Sequence, residues 1–377
     1  PLFDLYRQDT RTMIGYPAVS VVANAILRRK TFKNSDEASE MLTLLKRTAT
    51  RGELASYISR LTFIPSNLVE QSVSNALEMS TSDDCIARVA NLISNDETLS
   101  DELREAAMEI KAHFLKRSRL YELYFHKGFF RPRLSNGSFI ADFDYLDTSS
   151  HYTEANAFQY LFSVVHDIEG LASLLGGQDA LSQKLDDFFF DEENRPHNFH
   201  GDLPKDVAAG LLGGASIGNE PSLHIPLLYN YVGKPWKAQY IMHEILTTMF
   251  SGKSDGLPGN DDFGTMSSFY FFNAALGIYP IHACSGEYQI SRPLVQDVTL
   301  RLNDDDDDDG SCEGRNLFRV QVLNQSVRYN MYVQNVWLNG SRLNRTFITH
   351  DEIVRCGTTS LKFLMGPTPN RSAMMVV

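Results

Sequence analysis

Apolar residues recur at helical spacing through the first three quarters of the chain. Leu103, Ala107, Ile110 and Phe114 fall on one face of a 3.6-residue period, which predicts an amphipathic helix. Leu161, Val164, Ile168, Leu171 and Leu175 repeat the pattern, and Gly176-Gly177 supplies a stop. Asn34 and Glu37 have the spacing of a capping box ahead of EMLTLLKR. Between the helical stretches, 128–153 and 186–222 read as long loops, and loops of that length are functional or disordered. From about residue 290 the period changes. FRVQVLN, RYNMYVQNVWL and LKFLM are β-branched and aromatic runs divided by turns, with Asn339-Gly340 as a hairpin signal between VWL and SRLN. The pattern predicts a helical domain over 1–290 and a small β-rich domain over 291–377. No short repeat is evident, which a ring of helical hairpins would allow.

A chain of 377 residues with 43% hydrophobic content has room for a large core. Its net charge of −12 argues against nucleic acid and against an anionic membrane surface, both of which select a basic face. No run of about 18 apolar residues predicts a membrane span. Cys85, Cys284, Cys312 and Cys356 form no CxxC pair, so a zinc site is not expected and free or packed thiols are favoured over a disulfide. Asp304–Asp309 reads as a solvated loop. Glycosylation sequons at Asn136, Asn324, Asn339, Asn344 and Asn370 point towards a secreted protein. The opening PLFDLYRQDTRTMIGYP resembles the middle of a protein, so a secretion signal is expected upstream if there is one.

Several acidic stretches offer chemistry. In HYTEANAFQY (151–160), Glu154 precedes an apolar stripe beginning near Phe158. A carboxyl desolvated by aromatics gains pKa and can donate a proton; equally, Thr153 and Glu154 can be the first turn of a helix, where acids are favoured. In GNEPSLHIPLLYNYVGKPW (218–236), Asn219, Glu220 and His224 offer oxygen and nitrogen ligands for a sugar or a hard cation, or merely open a helix. In SDGLPGNDDFGTMSSFYFF (254–272), Asp261 and Asp262 sit in a Gly/Pro-rich turn that leads into an aromatic run. They are a solvated acidic turn or, if both are buried, a pair in which each raises the other's pKa and one activates a water. HNFH (197–200) has no helical ligand partner and reads as a loop without metal. GxSxG, HExxH, P-loop and dinucleotide fingerprints are absent from the sequence, and GLLGGASIG lacks the lysine of a phosphate loop. Three carboxylate sites beside aromatics in loops between helices suit a glycoside hydrolase, which needs an acid, a base and stacking faces for sugar rings.

The segments MIGYPAVSVVANAI (13–26), KGFFRPR (127–133), YTEANAFQY with VVHDIEGL, GNEPSLHIPLLYNYVGKPWKAQ (218–239), DGLPGNDDFGTMSSFYFFNAALGIYP (255–280), YVQNVWLNG, LNRTFITHDEI and MGPTPN occur in this order along the chain. In them the chain resembles the α-mannosidases of glycoside hydrolase family 92. The resemblance implies a mainly α, (α/α)6-barrel-type catalytic domain closed by β-structure, and a calcium-dependent, inverting exo-α-mannosidase acting on N-glycans or mannan. It places the general acid on Glu154 and the general base on Asp262. It places sugar contacts on Asn156, Gln159, Asn219, Glu220, His224, Asn260 and Asp261, and calcium at Asn219 and Glu220. The sequence departs from the family pattern at Ala155, where the family has glycine, at Phe158, where it has tryptophan, and at Asn260, where many members have an acid. The family's N-terminal β-sandwich and its WDTFR-like segment are not found in the chain. The expectation is therefore one piece of a longer, cleaved or truncated enzyme, with an incomplete barrel against which the β-sandwich packs. A mannose-binding protein without turnover, and a related glycosidase of other sugar specificity, are the alternatives.

Overall fold

The computed structural model describes residues 2–3, 8–9, 13–148, 151–191, 208–302 and 316–372. HNFH and the aspartate run lie outside the described residues, as does part of 186–222. The chain divides into two compact units: among the described residues, one comprises those up to Leu175 together with His282–Ser285, and the other the rest.

The first unit contains strands β1 (Leu2–Phe3) and β2 (Gln8–Asp9), then helices α1 (Pro17–Arg29), α2 (Ser35–Ala49), α3 (Gly52–Leu61), α4 (Ser72–Ser94) and α5 (Asp101–Ser118). A hairpin of β3 (Phe125–His126) and β4 (Phe129–Phe130) follows, then α6 (Ala157–Tyr160) and α7 (Ile168–Leu175). Half of the predicted capping box holds: Asn34 Oδ1 accepts from Glu37 N at 2.9 Å, but the Glu37 carboxylate takes Lys33 N, one residue before the cap, at 2.6 Å. The stripe of α5 also holds, with Ala107 and Phe114 buried against α4. The stripe over 161–175 is broken instead. Asp167 Oδ1 accepts from Gly170 N at 2.8 Å and starts α7 afresh, so Leu161 and Val164 are buried in turns rather than in one long helix.

The core of this unit is α4, buried nearly all round by α1, α2 and α5, as expected of a helix without a polar face. It carries a buried ion pair: Arg117 Nε donates to Asp83 Oδ2 at 2.9 Å, and Tyr16 donates to Asp83 as well. Cys85 on α4 is joined to Cys284 by a disulfide, and Cys356 is also disulfide-bonded. This corrects the expectation of free thiols: positions 199 residues apart come within 5.5 Å at Cα, a proximity that cysteine spacing alone does not reveal.

The second unit begins with α8 (Gln178–Phe189), the hairpin β5 (Leu211–Leu212) and β6 (Ala215–Ser216), α9 (Pro235–Thr248) and α10 (Thr265–Tyr270). Strands β7 (Ile278–Tyr279), β8 (Glu287–Ile290), β9 (Asp297–Arg301), β10 (Leu317–Leu323), β11 (Tyr332–Leu338), β12 (Ser341–Arg342) and β13 (Phe347–Thr349), the helical turn α11 (His350–Ile353) and β14 (Thr358–Gly366) complete it. The five-stranded sheet runs β12-β11-β14-β10-β9, with β10 and β14 parallel; a three-stranded sheet runs β13-β8-β7. Asn339 and Gly340 both have positive φ, as a two-residue hairpin requires. Val333 N on β11 donates to the buried Gln239 Oε1 of α9 at 2.9 Å. The β-region therefore shares a unit with helices, and the compact units part near 175 rather than at 290: composition follows element type, whereas compactness follows packing.

Candidate functional site

Glu154 is held from both sides by its neighbours. Thr153 exchanges hydrogen bonds with Ser74 of α4, hydroxyl to hydroxyl at 2.9 Å and Thr153 N to Ser74 Oγ at 3.2 Å. Tyr160 donates to Thr153 O at 3.2 Å, and Tyr152 donates to Phe130 O at 2.5 Å. On the other side a capping box starts α6: Asn156 Oδ1 accepts from Gln159 N, and Gln159 Oε1 accepts from Asn156 N, each at 3.0 Å. Asn156 and Gln159 are buried and fix this backbone. Glu154 lies ahead of the cap, so it is not part of the helix's first turn. Its side chain is exposed rather than packed among aromatics; Phe158, which follows it in α6, packs instead with Phe129 and Tyr145. Glu78 of α4 is a carboxyl of this unit that burial does raise. The buried Tyr160 phenol is raised first by its burial, then by the charge of Glu78 and, less, by that of Glu154.

In the second unit two glycines let two motifs cross. A Cβ on Gly259 would collide with Gly218 O, and one on Gly218 would sit 2.7 Å from Pro258 O. Only residues without side chains permit this approach, and it sets the backbone that leads into Asn219 and Glu220 against the backbone that leads into Asn260, Asp261 and Asp262. Gly218 N and Ile217 N, donating to Ala209 O and Gly210 O at 2.9 Å each, tie a third segment to the crossing. Asp261 is half-buried and its Oδ1 accepts from Ser267 N at 2.8 Å, capping α10. Asp262 is exposed, so the two are not the buried couple that adjacency allows. The aromatic run holds the tip from below: Phe269 is fully buried and meets Tyr279 edge-on at 5.2 Å, and a π-helical turn, Phe271–Leu276, follows α10. Glu220 is exposed and Asn219 buried; burial, then the Glu220 charge, pushes the Tyr279 phenol up to about 12. His224, half-buried, precedes the 3-10 turn Ile225–Asn230.

The backbone marks two of these positions. Among the described residues, nine other than glycine have positive φ. Lys30 and Thr62 close helices, Gln71 opens one, Lys127 and Asn339 turn hairpins, and Asn324 ends β10. Those remaining are Glu154 (φ 53°), Asp262 (φ 45°) and Phe263 (φ 57°). Left-handed backbone on such residues is strained and concentrates at functional sites.

A hard cation asks for six to eight oxygen ligands. Asn219 and Glu220 supply oxygen donors of the right kind but two side chains only. Among the described residues, the group of three or more His, Cys, Asp or Glu whose ligand atoms converge is Cys85, His282 and Cys284, where the sulfurs are joined to each other. A cation at Glu220 would therefore complete its shell with backbone carbonyls, water or sugar hydroxyls.

The sequence profile of the glycosyl hydrolase family 92 catalytic domain matches residues 1–367. An uncharacterized secreted glycosidase of Arthroderma benhamiae is 30% identical over 246 residues, 62% of this chain and 28% of the relative. A family 92 α-mannosidase of Bacteroides thetaiotaomicron, solved with mannoimidazole, is similar with a TM-score of 0.82 and 26% identity, over 98% of this chain and 46% of that one. A family 92 inverting mannosidase of the same organism gives 0.78 and 25%, over 97% and 47%. The chain thus spans less than half the length of these relatives. The expected fold class, a mainly α domain of (α/α)-barrel type with a small C-terminal β-region, is that of the matched catalytic domains. On this evidence the chain belongs to glycosyl hydrolase family 92.

Proposed function

We propose that the protein is a calcium-dependent, inverting exo-α-mannosidase that removes terminal α-linked mannose from N-glycans or mannan. The observation that carries this reading is the backbone at Glu154 and Asp262, left-handed without a capping or hairpin role, at the positions the family resemblance gives to acid and base. Family membership and two neighbours named as mannosidases support it.

Glu154, protonated, donates to the glycosidic oxygen as the bond to the anomeric carbon breaks. Asp262 takes a proton from the water that attacks that carbon on the opposite face. The departing alcohol gains the first proton and the free sugar keeps the hydroxyl, with its configuration inverted. This demands carboxyls roughly 6.5–9.5 Å apart, with room for the water. Asn219, Glu220, His224, Asn260 and Asp261 bind sugar hydroxyls, and Asn156 and Gln159 hold the acid's loop in place. Bound at Asn219 and Glu220, calcium would supply a fixed positive charge that orients hydroxyls. The matched share of the relatives' length leaves room for the N-terminal β-sandwich as a packing partner, and the disulfides suit a secreted protein.

The test is hydrolysis of defined α-mannobiosides followed by NMR of the first-formed anomer. β-Mannose is the expected product; α-mannose would reject inversion. Glu154→Gln and Asp262→Asn should each lower kcat/KM by about 10²-fold or more without changing the melting temperature. Turnover near wild type in either variant rejects its role, and binding without turnover in the wild type marks a mannose-binding module instead.

A further inference from the structure

The central helix α4 opens to water at one residue along its first four turns. From Ser72 to Ala87 every residue is buried except Thr81, half-buried, and Glu78, which is exposed. An acidic side chain that is exposed in so buried a stretch, yet short of hydration, stands in a recess and not on the outer surface. Ser74, one turn earlier on the same face, is the residue that grips Thr153 beside Glu154. Gly15 (φ +64°) comes so close that a Cβ there would lie 3.2 Å from Glu78 Cβ, so the loop ahead of α1 walls the hollow on one side. Tyr160, bonded to Thr153 O, feels the charge of both Glu78 and Glu154. Glu78 is thus reached by water yet raised by loss of hydration, the combination expected in a recess with protein on most sides.

We propose that Glu78 is a substrate-binding residue of the acid side of the site, its carboxyl hydrogen-bonding a hydroxyl of the sugar that Glu154 protonates. The proposal rests on the glycosidase reading and adds a residue to it. A carboxyl there bonds a sugar hydroxyl in either protonation state, as acceptor or as donor. It is short of full hydration when the site is empty, so a hydroxyl that replaces the missing water binds at little desolvation cost.

The test uses the full chain and methyl α-mannoside as probe. Glu78→Ala should lower kcat/KM on α-mannobiosides by roughly 10- to 100-fold and weaken probe binding in parallel. Glu78→Gln, which keeps one acceptor, should retain part of both. Glu105→Gln, on the exposed face of α5, is the control and should match wild type. Carbodiimide labelling of the wild type, read by peptide mass, needs no variant to fold: the probe should protect Glu78. Glu78 variants within twofold of wild type, or equal labelling with and without the probe, overturn the proposal. A wild type and a Glu105→Gln control that neither bind nor hydrolyse mannosides overturn the mannosidase reading itself, and this proposal with it.

Discussion

Asp83 shows what burial does to a single carboxyl in this protein. It is 1% exposed and bonded to Arg117 and Tyr16, yet burial outweighs both partners and pushes its pKa up to about 7. An aspartate in the unfolded chain titrates near about 3.9, so folding takes up a proton between about pH 4 and 7. The stabilisation from this group is full below about pH 4 and is lost as pH rises through about 7. Asp83→Asn removes the linkage: melting scans from pH 4 to 8 should show wild type losing stability relative to the variant as pH rises, and a pH-independent difference would show that Asp83 does not titrate there. Asp83→Ala, which strands the buried Arg117, should destabilise by about 3–5 kcal/mol. Single residues were readable from sequence where the motif was local. Asn34 capped its helix and Asn339-Gly340 turned its hairpin because each signal lies within a few residues. Glu78 was missed because the helix that carries it has no stripe to set an odd residue apart.

That helix sets the lesson at the level of elements. α2 and α5 are amphipathic; a cap announced the first and a period the second. α4, rich in Ser, Ala, Val and Asn and buried on nearly all sides, has no period to detect, though it organises the first unit. The stripe of 161–175 was a true burial pattern without a continuous helix, because Asp167 bonds backbone ahead of it. The Cys85–Cys284 disulfide fastens α4 to the segment His282–Ser285, which belongs with the first unit although it comes from far along the chain. The buried His282, whose pKa burial holds well below the usual range, lies 3.6 Å from Asp84 and 3.7 Å from Cys85 Sγ. Replacing both cysteines by alanine should remove about 2–4 kcal/mol, a fall of roughly 4–16 °C in Tm for a unit of this size. Scanning calorimetry of the double variant measures it, and an unchanged Tm would leave the bridge without a stabilising role.

For the whole molecule, the change in hydrophobic period near 290 located a change of element type and not a seam in the packing. Two separate motifs, GNEP and GNDD, share a Gly-Asn start, and in the fold their glycines are where the two segments cross. That meeting was invisible in either motif alone. The net charge of −12 suits neutral ligands, with calcium the one cation the proposal requires. If Asn219 and Glu220 help to hold it, calcium binds the native chain and raises its stability, by about 2.7 kcal/mol at 100 times its Kd. EDTA should abolish hydrolysis and lower Tm together, and added calcium should restore both; activity and Tm that ignore EDTA and calcium would remove the ion from the mechanism.

At the tip before α10, Asp262, Phe263 and Gly264 follow one another in left-handed backbone, at φ 45°, 57° and 92°. Thr265 fastens the turn by donating from N and Oγ1 to Asp262 O, at 3.3 and 2.8 Å. Gly264 rests there easily; the aspartate and the phenylalanine do not. Selection for sturdiness alone would drift both towards glycine, so a carboxylate and an exposed aromatic ring survive at this corner only while something other than folding keeps them.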